Sequence, residues 1–262
     1  MTASGAAGRP DAVGVLGGMG PLATVDFMRQ VVELTPAEKD ADHIPLIVSS
    51  YPQIPDRVGP ILRGAAPSPL AALRRERLFL EVAGAKLIVM PCNTAHFWYD
   101  ALVADCAVSF LHIADATADA IVALGLPPGC RLGLIATKAT LQAGMFQERL
   151  LARGFAIVVP SDAELDRWTV PGIAHVKANR RAAAEALFRL AIESLLAAGA
   201  ERVVLACTEV PVAFAPGDAL LREACIDPTE ALARATVAWA LARRRGDAYA
   251  GLRPTKMVNG PT

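Results

Sequence analysis

Short apolar runs recur along the chain and alternate with longer stretches of helical composition rich in Ala, Leu and Arg. Ala12 to Leu16 is the first run. It ends in Gly17-Gly18-Met19-Gly20, and Pro21 follows where a helix can begin, which predicts strand, tight loop, helix. Ile44 to Ser50, Lys86 to Met90, Val108 to Ile113, Arg131 to Ala136, Phe155 to Val159 and Arg202 to Ala206 are further strand-like runs. Cys225-Ile226-Asp227-Pro228 adds a last short strand leading into a final helix. Such alternation predicts an α/β fold of parallel sheets covered by helices on both faces.

Gly125-Leu126-Pro127-Pro128-Gly129 punctuates the middle of the chain, and a new strand starts directly after it. The sequence therefore divides into two similar α/β halves. Residues 1–125 form the first, and the last helix, 228–250, returns to it; residues 126–227 form the second. Met1 to Asp11 and 251–262 read as loose tails.

Apolar residues make up 53% of the 262 and charged residues 20%, the balance of a packed globule. Lys plus Arg and Asp plus Glu both total 26, so no overall field draws the chain to nucleic acid or an anionic membrane. An acidic ligand must be held by a few local groups. The first ten residues lack the apolar stretch of a signal peptide and no run is long enough to span a bilayer, so a cytoplasmic location is expected. The five cysteines, at 92, 106, 130, 207 and 225, form no CxxC pair and read as reduced thiols.

Two of those thiols occupy matching places. Ala85-Lys-Leu-Ile-Val-Met-Pro-Cys92-Asn93-Thr94 echoes Ala200-Glu-Arg-Val-Val-Leu-Ala-Cys207-Thr208. In each, Gly-Ala precedes a buried-type strand, and the strand ends at a cysteine followed within two residues by threonine. Ligands of parallel α/β sheets bind beyond the carboxyl ends of the strands. A helix N-terminus there is expected to pull each thiol pKa below about 8.5. Inverting a stereocentre through a planar intermediate needs a proton acceptor on one face and a donor on the other. Paired thiols from two similar halves suit that task, with Asn93, Thr94 and Thr208 free to hold carboxylate and ammonium groups. Cys106, Cys130 and Cys225 lack this context and read as structural.

Leu16-Gly-Gly-Met-Gly-Pro-Leu-Ala-Thr24, Pro52-Gln-Ile-Pro-Asp-Arg57, Met90-Pro-Cys-Asn-Thr-Ala-His96, Ala206-Cys-Thr-Glu-Val210 and Ile226-Asp-Pro228 together resemble the aspartate/glutamate racemase family. Within it the likeness is greatest to aspartate racemases, and it runs from about Val13 to Ala240. The resemblance implies two flavodoxin-like domains facing each other across a cleft that holds the active site, commonly as a homodimer. It also implies racemisation of an amino acid, aspartate or glutamate, with no pyridoxal phosphate and no metal. Cys92 and Cys207 match the family's proton-transferring cysteines. Asn93, Thr94, Ala95 and Thr208 match positions that hold the amino-acid backbone groups, and Met19 matches a loop position lining the cleft. Glu209 stands where glutamate racemases have histidine, placed to orient or deprotonate Cys207. Arg57 matches the arginine that grips a side-chain carboxylate, with Gln53 a weaker neighbour. The family's lysine beyond the Pro160 region has no obvious counterpart; Arg167 is the nearest basic residue and the candidate to replace it.

Other readings compete. Gly18-Met-Gly20-Pro-Leu-Ala23 fits a G-x-G-x-x-A dinucleotide fingerprint, but the second strand ends in Ser49-Ser50-Tyr51 without the acid that binds ribose. Cys92 and His96, four apart, could approach Cys207 around zinc, a spacing common by chance. His112 and Asp115 read as groups that satisfy buried backbone or support the site. A broad-specificity amino-acid racemase is an alternative within the family; hydantoin racemases, which also use paired cysteines, and arylmalonate decarboxylases, which use one, are minor alternatives from which the two thiols and the Pro52–Arg57 loop lean away. A relative that binds an amino acid without turning it over is a different class, and both retained thiols argue against it.

Overall fold

In this computed structural model the described residues are 11–64 and 67–249. Most of the expected tails therefore lies outside the described residues. Asp11 is the exception, and its carboxylate accepts from Arg243 Nε at 3.0 Å.

The first half runs β1 (Ala12–Gly17), α1 (Pro21–Leu34), β2 (Leu46–Ser50), α2 (Val58–Arg63), α3 (Leu70–Val82), β3 (Ala85–Val89), α4 (Tyr99–Val103), β4 (Ser109–Phe110) and α5 (Ile113–Ala123). The second runs β5 (Arg131–Leu134), α6 (Lys138–Ala143), α7 (Met145–Leu151), β6 (Ala156–Val158), α8 (Asp162–Glu164), α9 (Val170–Lys177), α10 (Arg181–Ala197), β7 (Arg202–Val204), α11 (Ala219–Ala224) and β8 (Cys225–Ile226). Helix α12 (Pro228–Arg245) follows and packs on α1 and α5.

Each half builds one parallel four-stranded sheet, in the orders β2-β1-β3-β4 and β6-β5-β7-β8. The two orders are equivalent, so β3 and β7 occupy the same place. All six residues of β1 are buried, as expected of a strand covered on both faces. Several strands are shorter than their apolar runs. Ile113 starts α5 rather than ending β4, because His112 caps that helix through Nδ1, which accepts from Ala114 N–H at 3.1 Å. Asp227 caps α12 in the same way, accepting from Thr229 N–H at 2.8 Å.

One apolar cluster joins the halves: Val13, Leu87 and Ile113 belong to the same packed group as Leu132, Val204 and Leu232. At about 1.5–3 kcal/mol for each fully buried aliphatic side chain, such residues supply much of the driving force. The other faces of the sheets carry separate clusters, one around Leu205 and Phe188 and one around Met90 and Leu80.

Candidate active site

Cys92 lies three residues past the last residue of β3, and Cys207 three past the last of β7. The internal echo in the sequence is thus an echo in space. Both thiols are nearly sealed from solvent, at 5% and 3% exposure. Both line a single cavity of about 30 Å³ between the halves.

Met19, Arg57, Asn93, Thr94, Thr208 and Glu209 line it as well. Met19 arrives on the loop after β1. Gly18, at φ 87°, lets that loop lie against the Tyr51 backbone, where a Cβ would meet Tyr51 N at 2.4 Å. Thr24 Oγ1 closes the loop by accepting from Gly18 N–H at 2.8 Å and donating to Gly20 C=O at 3.0 Å. Within the glycine-rich fingerprint, Gly18 is thus packed on the Tyr51 backbone and its N–H is spent on Thr24.

Asn93 is 2% exposed, and neither Oδ1 nor Nδ2 has a partner. An unsatisfied buried amide costs about 1–3 kcal/mol per group, so this side chain is set up for a polar ligand. Thr94 Oγ1 lies 3.1 Å from Thr137 Oγ1 and 2.9 Å from Thr140 Oγ1, and Thr137 and Thr140 are 2.9 Å apart. This triangle of hydroxyls crosses from one half to the other. Ala95 is buried outside the cavity lining, and its backbone N–H is directed at the Cys92 thiol. Cys207 Sγ donates to Glu209 Oε2 at 3.2 Å.

Arg57 enters on the segment between β2 and α2, anchored by Nη1, which donates to the carbonyls of Ile54 and Pro55 at 3.2 Å each. Gln53 on the same segment is exposed and does not line the cavity. Arg167 is also exposed; its guanidinium stacks 5.6 Å from the Trp168 ring centre. The second cation at the cavity is Lys177, at the end of α9. Asp56 sits between them with its carboxylate capping α2, accepting from Gly59 N–H at 2.6 Å. Burial opposes its charge, yet those backbone N–H bonds and the nearby Arg57 and Lys177 hold it below the usual carboxylate range.

Lys177, Thr137 and Asp56 were not found by sequence reasoning. Thr137 had a usable signal: it lies three residues past β5 as Gly20, the neighbour of Met19, lies three past β1, so the internal symmetry points to that loop. Lys177 had none.

The thiol electrostatics differ from expectation. No long helix starts behind either cysteine: a five-residue 3-10 turn, Thr94–Trp98, follows Cys92, and a three-residue one, Pro211–Ala213, follows Cys207. Burial pushes both thiols up, Cys207 well above its ordinary value. Arg57, Lys177 and the Ala95 N–H counter this at Cys92, whereas Glu209 adds to it at both. Cys207 is further raised by Cys92 itself. The arrangement offers two protonated thiols, a carboxylate able to take a proton from one, and two cations favouring a thiolate at the other.

His96 spends both ring nitrogens within the chain, on Cys92 C=O at 2.9 Å and Ile113 N–H at 3.2 Å, which removes the donor that a zinc site with the cysteines would need. Asp115 accepts from Arg149 Nε at 2.7 Å, tying α5 to α7. Of the other cysteines, Cys130 is buried, while Cys106 and Cys225 are half-buried. Among the described residues no helix is long and apolar enough to cross a membrane.

A family profile described as Asp/Glu/Hydantoin racemase matches residues 16–236. The aspartate racemase of Picrophilus torridus is similar in structure, with a TM-score of 0.76 and 30% identity over 91% of this chain and 96% of that one. An aspartate racemase homologue from Pyrococcus horikoshii gives a TM-score of 0.68 at 25% identity, covering 88% of this chain and 99% of that one. In sequence, the broad specificity amino-acid racemase RacX of Bacillus subtilis is 27% identical over 239 residues, 88% of this chain and 98% of the relative.

Proposed function

Since the chain belongs to the Asp/Glu/hydantoin racemase family, we propose that it interconverts L- and D-aspartate without a cofactor, using Cys92 and Cys207 on opposite faces of Cα. The observation that carries this reading is the meeting of both thiols in one cavity with two cations, Arg57 and Lys177. Arg57 and Lys177 hold the distal carboxylate, as a guanidinium and an ammonium can through charge-assisted hydrogen bonds. Asn93, with the hydroxyls of Thr94 and Thr208, holds the α-carboxylate and amino group, which satisfies the stranded Asn93 amide.

Glu209 takes the Cys207 proton, and the resulting thiolate removes the Cα proton. The electron pair left on carbon is stabilised by the hydrogen-bonded carboxylate. Cys92 then delivers its own proton to the opposite face, leaving a thiolate that Arg57 and Lys177 stabilise. The reverse sequence converts the other enantiomer, so each thiol is acid in one direction and base in the other.

The likeness to a broad specificity racemase favours a second reading, in which several amino acids are turned over. Incubation with L-aspartate in deuterium oxide tests the chemistry. Deuterium at Cα and a growing D-aspartate peak are expected, and a panel with glutamate, alanine and serine separates the two ranges. Absence of exchange with every member would overturn the racemase reading in favour of an amino-acid-binding relative. Assembly as a homodimer belongs to the same proposal and is read by light scattering.

A further inference from the structure

His96 closes the Met90-Pro-Cys-Asn-Thr-Ala-His96 motif but does not line the cavity. It is 3% exposed. The Ile113 N–H can only donate, so the ring nitrogen facing it, Nε2 at 3.2 Å, is the bare one. Nδ1 must then carry the hydrogen, and it donates to the Cys92 carbonyl at 2.9 Å. Burial pushes the imidazole down to about 4, with Arg149 adding to the effect, so this arrangement persists through the neutral range.

Ile113 is the first residue of α5, an eleven-residue helix, and its N–H is one of those the helix cannot satisfy internally. The imidazole thus bridges the electropositive end of α5 to the peptide group joining Cys92 and Asn93. Fixing that carbonyl fixes the plane of the peptide, and with it the start of the 3-10 turn that aims the Ala95 N–H at the Cys92 sulfur. The ring is braced by His112, whose centre is 4.6 Å away, and by Tyr99 at 6.0 Å.

We propose that His96 is a positioning residue for Cys92: through its Nδ1–H bond to the Cys92 carbonyl it holds the thiol, the Asn93 amide and the Ala95 N–H in working register. The charged groups facing Cys92 are Arg57, Lys177 and Glu209, and a substitution at His96 leaves all three in place. The proposal rests on Cys92 being a working thiol.

The test compares His96→Asn with His96→Gln. Asparagine puts an N–H donor where Nδ1 stands and keeps the Cys92 bond; glutamine reaches the Nε2 position and keeps the Ile113 contact instead. Alkylation of Cys92 by iodoacetamide is followed against pH by peptide mass spectrometry, with Cys207 in the same sample as the control. In His96→Gln the Cys92 profile is expected to move up by about one pH unit, a roughly tenfold loss of thiolate at fixed pH. In His96→Asn it stays with the parent, and Cys207 is unmoved in both. With aspartate, kcat falls about tenfold in the glutamine variant and KM changes little. Identical Cys92 profiles for the two variants, or equal shifts at both cysteines, would overturn the proposal. Alkylation needs no turnover, so this outcome is separate from the fate of the racemase reading.

Discussion

The Cys207 thiol and the Glu209 carboxylate, both buried and 3.2 Å apart, form a donor-acceptor pair, and the same carboxylate raises the thiol it faces. Removing its charge has two opposed effects. Glu209→Gln is expected to lower the Cys207 pKa, so that alkylation of Cys207 quickens near neutral pH. Racemisation should nonetheless slow by about 10²-fold, since the group that receives the thiol proton is gone. Parallel change in both measurements would refute the role given to Glu209.

In the proposed two-thiol scheme, loss of either sulfur removes service to one face of Cα. Cys92→Ala and Cys207→Ala are each expected to lower racemisation by about 10²- to 10⁴-fold, the usual range for a positioned acid-base group. A serine at either position leaves slow exchange from the intact side. Chiral chromatography reads inversion and proton NMR in deuterium oxide reads exchange. Near-normal inversion in either alanine variant contradicts the two-thiol scheme.

Arg57→Ala and Lys177→Ala should each lower kcat/KM for aspartate by roughly 10- to 100-fold, the worth of a charge-assisted hydrogen bond of about 1.5–3 kcal/mol. Alanine as substrate has no distal carboxylate and should lose far less. Arg167→Ala, with its guanidinium stacked on Trp168, should leave both substrates nearly unchanged. Equal losses across substrates for Arg57→Ala would place that arginine elsewhere in the chemistry.

Asp227 carries a pH-dependent stability. Burial pushes its carboxyl up from 3.8 to about 7, Asp26 adds to the shift, and Gln30 Nε2 donates to it at 3.3 Å. The folded chain therefore binds a proton here that the unfolded chain releases above 3.8. This contribution is fully present below 3.8 and is lost as pH rises through about 7. Asp227→Asn keeps the cap on α12 without the buried charge. Its Tm should exceed the parent's near pH 8, and the gap should close toward pH 4. A gap independent of pH would contradict the assignment.

The legible parts of the fold were those set by local pattern. Eight apolar runs gave eight strands among the described residues: β1, buried throughout, reads as a continuous hydrophobic stretch, while β2 and β6, only half-buried, were marked by their short apolar runs between helical stretches. The pairing of Cys92 with Cys207 was legible because the halves repeat a strand and its exit. Lys177 was not, since apolar periodicity reports which side of α9 is buried and says nothing of which chain segment its exposed end meets. Arg167, ten residues earlier, faces Trp168 and solvent instead. The expected lowering of the thiol pKa failed for a related reason. Sequence marks where a strand ends, but not that the sulfur three residues beyond it is sealed in, and burial is what pushes both thiols up.

The chamber between the thiols, at about 30 Å³, has room for scarcely more than a water or two. One side of it meets solvent, where Asp56 and Lys177 are exposed. Thr94 and Thr137 both line it, one from each half, and Thr140 ties the two together from behind with its own hydroxyl. In the proposed reaction an amino acid of either hand would have to widen this same small space, so the work of widening it would weigh on the two directions alike.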